Sequence, residues 1–197
     1  MKIKLPSFSR EGELSVEEAV YNRRSRRRYG KGELTLFEVS QLLFVAQGIT
    51  GEGGRKRAAP SAGATYPMET YLVAGNVKEL DKGVYRYIPQ GHSIELINKG
   101  DKRKQLTAAA LGQVYIMNAP VSIVLAAEYE RTMGRYGQRG RRYVHMEAGH
   151  IGENIYLECE SLGLSTVVIG AFSDSLVKKI LGIDEEPLYI MPVGRRK

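Results

Sequence analysis

Cysteine is almost missing from this 197-residue chain, where Cys159 stands alone. A single thiol closes no intrachain disulfide, so the fold must rest on its core, and a reducing, cytoplasmic home is expected. Histidine is nearly as scarce. Its three residues, with the one cysteine, make no metal-ligand spacing, and no metal site is expected. No apolar run approaches the roughly 20 residues of a membrane span, and Met1 to Arg10 lacks the apolar stretch of a secretion signal. Repeats are absent too, and no composition shift marks a boundary, so residues 1–197 read as a single domain.

What is present is ordinary in bulk and unusual in place. A hydrophobic content of 43% with 26% charged residues suits a globular protein with one sizeable core. The net charge of +7 is concentrated. Arg23-Arg24-Ser25-Arg26-Arg27-Arg28 and Arg195-Arg196-Lys197 together carry more than the whole excess. Guanidinium groups fork onto phosphate oxygens, and Ser25 adds a small neutral donor. The run therefore reads as one wall of a phosphate pocket, or else as a solvated basic patch for a polyanion. Basicity gathered at two places suits a small anionic group better than a long track. No helix-turn-helix, zinc-finger or stacking-aromatic pattern favours nucleic acid.

The local signals give an order of elements. Ser15-Val-Glu-Glu18 and Thr35-Leu-Phe-Glu38 are capping-box signatures, opening helices to about Asn22 and to Gly48. Gly51 to Arg57 is glycine-rich and polar, hence a loop. Ala59 to Pro67 sets small residues between prolines, which lets a flat ligand approach the backbone. Met68–Ala74 reads as a strand, and Val84–Ile88 with Ser93–Ile97 as a hairpin. Asp101 should cap a helix to about Leu111, and Pro120–Ala126 is an apolar strand fit for a sheet centre. The longest helical pattern runs from Arg142 to about Leu162, with Cys159 on its apolar stripe as packing rather than nucleophile. Leu164–Ile169 and Leu188–Val193 read as strands around a helix capped by Ser173. The glycines of the Arg131–Arg142 segment suggest a mobile cover or an exposed loop. Interleaved helices, hairpins and central strands predict an α+β arrangement.

Four separated segments, together spanning residues 15 to 196, resemble the nitroreductase family of flavin-dependent oxidoreductases. They are Arg23-Arg24-Ser25-x-Arg27-x-Tyr29; Pro60-Ser61-Ala62-Gly63-Ala64-x-Tyr66-Pro67-x-Glu69; Glu147-Ala148-Gly149-His150 with Asn154 and Leu162-Gly163-Leu164; and Gly170-Ala171-Phe172 through Leu188-Tyr189 to Pro192-Val193-Gly194-Arg195. The branch most similar contains the azoline dehydrogenases of peptide natural-product pathways. The resemblance implies a three-layer α/β/α fold with a central, mostly antiparallel sheet, in an intertwined homodimer with FMN at the interface.

By the same resemblance, Arg23, Arg24, Ser25 and Arg27 would hold the phosphate and ribityl chain, with Arg195 closing on that phosphate. Pro60, Ser61, Ala62, Gly63 and Ala64 would lie along the isoalloxazine from the other subunit. The backbone of Ile169, Gly170 and Ala171 would sit beside flavin N5. Where many relatives set a Lys or Arg near the flavin N1 edge, this chain offers Gln113, a neutral donor. NADH or NADPH would be the electron donor, and a small organic molecule the acceptor. No general acid, base or nucleophile stands out. Azoline-type chemistry would need a base, for which Tyr136, Tyr143, His145 and His150 are the nearest candidates. A flavin-binding sensor without turnover is the remaining alternative.

Overall fold

Thr35 shows why the chain folds where it does. Its hydroxyl accepts from the Glu38 backbone N–H at 3.2 Å, while the Glu38 carboxylate accepts from the Thr35 N–H at 2.7 Å. That reciprocal pair satisfies two donors the first helical turn leaves orphaned. The computed structural model describes residues 1–51 and 53–197; Glu52, part of the expected Gly51–Arg57 loop, lies outside them.

The elements in order are β1 (Lys2–Lys4), α1 (Val16–Asn22), α2 (Leu36–Gln47), β2 (Ile49–Thr50), β3 (Lys56–Arg57), β4 (Met68–Ala74), β5 (Gly83–Ile88), β6 (Ser93–Lys99), α3 (Arg103–Ala109), α4 (Tyr115–Asn118), β7 (Val121–Ala127), α5 (Tyr129–Tyr136), α6 (Arg139–Ser161), β8 (Leu164–Thr166), α7 (Asp174–Leu181) and β9 (Glu186–Arg195). A single 3₁₀ turn spans Ala62–Ala64. β2 and β3 form a small hairpin where a plain loop was expected.

Seven strands make one sheet in the order β1-β6-β5-β4-β7-β9-β8, each neighbouring pair antiparallel. Alternation along the strands divides the core in two. Leu72, Ile123, Leu125, Met191 and Val193 face α2 and α6, where they meet Val39, Leu43, Ala148, Ile151, Ile155 and Cys159. Tyr71, Val73, Val124, Ala126 and Ile190 face the other way, against Leu106 of α3, Ile116 of α4 and Val177 and Leu181 of α7. The α+β, three-layer reading is therefore met: a mostly antiparallel sheet with helices on both faces. Among the described residues no helix is long and apolar enough to cross a membrane.

The 131–142 segment corrects the loop expectation. It is almost wholly helical, forming most of α5 and the start of α6, and only the Gly137-Gln138 turn, with Gly137 at φ +57°, breaks the run. Gly140 explains the sharp corner, because a Cβ there would meet the Met133 backbone at 2.9 Å. Three glycines read as flexibility, yet Gly137 makes one turn and Gly140 one close helix approach.

Glu38 carries more than its cap, since Arg195 at the end of β9 donates to both its carboxylate oxygens. Glu38→Ala should therefore cost more than a cap alone, on the order of 2–4 kcal/mol. Glu38→Gln, which retains the capping geometry, should cost less. Urea unfolding checks both, with the midpoint falling at an unchanged slope.

Candidate functional site

After α1 the chain runs extended from Arg23 to Tyr29. Two backbone bonds pin it: Arg26 N–H donates to the Thr166 carbonyl at 2.8 Å, and Gly30 N–H to that of Arg195 at 2.9 Å. An extended chain points successive side chains to opposite sides, and the contacts follow that alternation. The Arg23 guanidinium lies over the Tyr156 ring at 5.1 Å, and Arg27 over Tyr115 at 6.0 Å. Between them the Ser25 hydroxyl meets the Tyr156 hydroxyl at 2.8 Å. Tyr29 is half-buried below, donating to the Pro192 carbonyl at 3.2 Å, and desolvation pushes its phenol far up from the ordinary value.

The odd-numbered face borders a wall that other elements supply. Tyr156 of α6 accepts from Val168 N–H at 2.9 Å, tying Ser25 to the stretch after β8. Gln113 donates to the Ala110 and Ala171 carbonyls, each at 3.0 Å, and accepts from the Tyr115 hydroxyl. Ile169 bridges to Ile190 of β9, which fixes the exposed Gly170 and Ala171 at the rim. Neither of those two backbone N–H groups has a partner among the described residues. Arg23, Ser25, Arg27, Gln113, Ile169, Gly170 and Ala171 thus come together through shared contacts. Gln113 spends both amide protons within the chain. Its work here is to hold the Ala171 carbonyl.

The even-numbered face is a different surface. Arg24 donates to the Tyr21 and Arg23 carbonyls at 3.0 and 2.7 Å. Arg26 and Arg196 both pair with the buried Glu160. A cleft of about 450 Å³ on this side is lined by Arg26, Arg28, Arg196, Lys197 and Ser165, with Arg27 bordering it as well as the other face. The buried Ser165 hydroxyl there has no hydrogen-bond partner among the described residues. The basic tail does return to the basic run, through Arg196 and Lys197. Arg195, expected there, is turned away: it pairs with Glu38 and donates to the Glu33 carbonyl at 2.9 Å. β9 continues to Arg195, beyond the expected end at Val193, and the alternation of that longer strand sends the two arginines to different partners.

Pro60, Ser61, Ala62, Gly63 and Ala64 lie elsewhere, against the N-terminal half of α6. With Tyr143, Met146, Glu147 and His150 the first three line a cleft of about 290 Å³. Glu147 and Tyr156 are nine residues apart on that helix, about 13 Å by helical rise. Gly63, Ala64 and Tyr66 all hold positive φ. For Ala64 and Tyr66 this costs on the order of 1 kcal/mol each. α5 holds the strain in place. Arg135 donates to the Gly63 carbonyl at 3.0 Å, Arg131 to that of Tyr66 at 3.0 Å, and Thr132 meets Thr65 hydroxyl to hydroxyl at 2.7 Å.

Sequence reasoning missed one residue here. Glu147 is 1% exposed, on the buried face of α6. Gln47 donates to its carboxyl at 3.4 Å and the nearby Ser61 hydroxyl also favours the charged form, but burial outweighs both and lifts it from the ordinary 4.5 to about 7. A glutamate beside Ala148 on an apolar stripe was the available signal. Of the four expected base candidates, Tyr143 and His150 share its cleft. Tyr129 instead holds His145 at 2.6 Å, and Tyr136 stacks edge-on against Tyr143.

A carboxyl whose folded value is raised takes up its proton earlier in the folded state than in the unfolded chain. Its contribution is complete below about pH 4.5 and is lost as pH rises through about 7. Glu147→Gln should flatten that part of the stability profile, removing a fall of about 2–3 kcal/mol between those pH values. Thermal or urea unfolding across pH 4–8 measures it.

Comparisons with known proteins bear on the family and the fold. A family model described as "Nitroreductase family" matches residues 20–195. A protein of Methanocaldococcus jannaschii named as a nitroreductase is 48% identical over 196 residues, covering all of this chain and 97% of that one. The microcin B17-processing protein McbC of Escherichia coli is 27% identical over 172 residues, covering 83% of this chain and 63% of its own. Among solved structures, a nitroreductase-titled protein of Ralstonia eutropha superposes with a TM-score of 0.86 at 28% identity, over all of this chain and 90% of the other.

Proposed function

The chain belongs to the nitroreductase family of oxidoreductases, and from that premise we propose that it is a cytoplasmic, FMN-dependent enzyme passing reducing equivalents from NADH or NADPH to a small organic acceptor. One observation carries this reading: Arg23, Ser25 and Arg27 share one face of an extended segment, bordered by Gln113 and the unpartnered N–H groups of Gly170 and Ala171. The donor set fits a flavin mononucleotide. Guanidinium and hydroxyl groups suit its phosphate and ribityl oxygens, and exposed backbone N–H groups suit the polar edge of its ring. When bound, the flavin would supply hydride acceptance and donation at N5, with donor and acceptor using one face in turn, in ping-pong order.

The residues of the chain divide the remaining work. Tyr156 accepts from Val168 N–H. With its own proton given to Ser25 Oγ, it leaves the Ser25 hydroxyl free to donate to a phosphate oxygen. Gln113 fixes the Ala171 carbonyl, so the adjoining N–H groups keep their aim. Without a cation at that edge, a reduced, anionic ring gains less electrostatic support than a lysine would give. Arg24 belongs to the outer face and contributes charge rather than contact.

Pro60–Ala64 would come from a second copy to cover the ring, making the active unit a homodimer. The exposed strip of α6 supports this: Met146 is 52% exposed, and the neighbouring Gly149 has open space where a Cβ would stand. A tryptophan at a helix face with no side chain should block close approach of a twin helix. Gly149→Trp should therefore yield a folded monomer with depleted flavin, read by sedimentation and absorbance. A dimer with full flavin would contradict the shared site.

A second reading, azoline-type dehydrogenation of a peptide-derived ring, is favoured by Glu147. That chemistry needs a proton acceptor, and Glu147 titrates near neutrality beside Ser61. The relationship to the microcin-processing McbC points the same way.

Anaerobic mixing tests the main proposal. NADH or NADPH should bleach a yellow protein, and an acceptor should restore the colour. Replacing Arg23 and Arg27 together with alanine should strip the flavin, since each charge-assisted contact contributes roughly 1.5–3 kcal/mol. Full occupancy in that double variant, or colour that neither nucleotide bleaches, would defeat it.

A further inference from the structure

A second cationic cleft lies behind the Ser61–Tyr66 segment, and no step above uses it. Its volume is about 290 Å³. Three guanidinium groups reach it from three elements: Arg57 from β3, Arg86 from β5 and Arg131 from α5. One carboxylate in the lining serves two of them. Glu69 takes Arg131 on one oxygen at 2.7 Å and Arg86 on the other at 3.1 Å. Glu185, outside the lining, reaches Arg86 at 3.9 Å. Arg57 pairs with no carboxylate among the described residues. It lies over the Tyr66 ring at 5.3 Å and spends one N–H on the Gln47 carbonyl at 3.4 Å.

Like charges converging from separate elements repel, and a shared glutamate relieves only part of that. Of the five donors of Arg57, which lines the cleft, only one is spent on a partner among the described residues. Tyr66 ties this cleft to the flavin-covering segment, because its backbone N–H donates to Ser61 Oγ at 2.9 Å. A molecule reacting beside Ser61 and carrying a charged oxygen group on a short arm would find its counter-charge here.

We propose that the Arg57–Arg86–Arg131 cleft is a recognition subsite for an anionic oxygen group, a phosphate monoester or a carboxylate, borne by a small-molecule substrate. The inference rests on the oxidoreductase reading only for the identity of the carrier. Arg57 is the residue to change. It supports no buried acid, so Arg57→Gln leaves the Glu69 pairs intact, and Arg57→Lys restores the charge without the fork.

Calorimetric titration of the full chain, with and without added FMN, uses 2′-phosphorylated ADP in one arm and succinate in the other. At least one probe should bind saturably, one per chain, and more weakly as salt rises. Arg57→Gln should weaken that binding at least tenfold and Arg57→Lys less, with flavin content unchanged. Saturation by the nucleotide alone assigns the group to the reductant, and saturation by succinate assigns it to the acceptor. If neither probe saturates, or if Arg57→Gln binds as the parent does, the proposal fails. Because the titration runs without flavin too, a protein that never binds FMN would leave this result standing by itself.

Discussion

The site depends on an edge pairing. Arg26 lends its backbone N–H to Thr166, Gly30 lends its own to Arg195, and the stretch between cannot rotate. That constraint turns a run of like charges into two surfaces with different partners. Arg23, Ser25 and Arg27 look towards Tyr156 and Tyr115. Arg26, and Arg196 from the tail, are neutralised together on Glu160. An unconstrained run of five arginines would spread into solvent and bind polyanions without preference. Held in one register, it offers a fixed pair of guanidinium groups with a hydroxyl between them.

Stored strain is concentrated at the other half of the candidate site. Ala64 and Tyr66 keep left-handed backbone because α5 grips the carbonyls of Gly63 and Tyr66 with arginine side chains. Glycine suits position 63, where φ is +60° and a Cβ would crowd the Tyr136 hydroxyl at 2.5 Å. The same clamp holds the Ser61 hydroxyl, which accepts from Tyr66 N–H, in the cleft that Glu147 also lines. Rigid placement of small residues and a hydroxyl is what a flat ligand needs from a covering segment. Under the proposed function, that geometry would cover the flavin ring.

Much of this was legible in the residues, where the cause was local. The signatures at Ser15 and Thr35 opened helices, as a single cap at Ser15 and a full capping box at Thr35, because their bonds close within four residues. Met68–Ala74 declared itself a strand by apolar content, and its bounds agree with the structure. Glycine was the misleading signal. Gly134 sits inside α5 with open space around it, and only its neighbours Gly137 and Gly140 do structural work. The partners of Arg195 and Arg196 were beyond reach for another reason. Glu38 and Glu160 are respectively 157 and 36 residues away in sequence, and only the register of β9 decides which arginine meets which. Glu147 could have been seen, as an acid among the buried positions of a long amphipathic helix.

The central claim is that the pinned face of the arginine run grips a terminal phosphate. Riboflavin carries the same ring without that group, so comparing its affinity with that of FMN isolates the grip. Two or three charge-assisted contacts at roughly 1.5–3 kcal/mol each predict FMN binding tighter by at least about 100-fold, the margin shrinking as salt rises. Equal affinity for the two flavins, at low salt, would contradict the account.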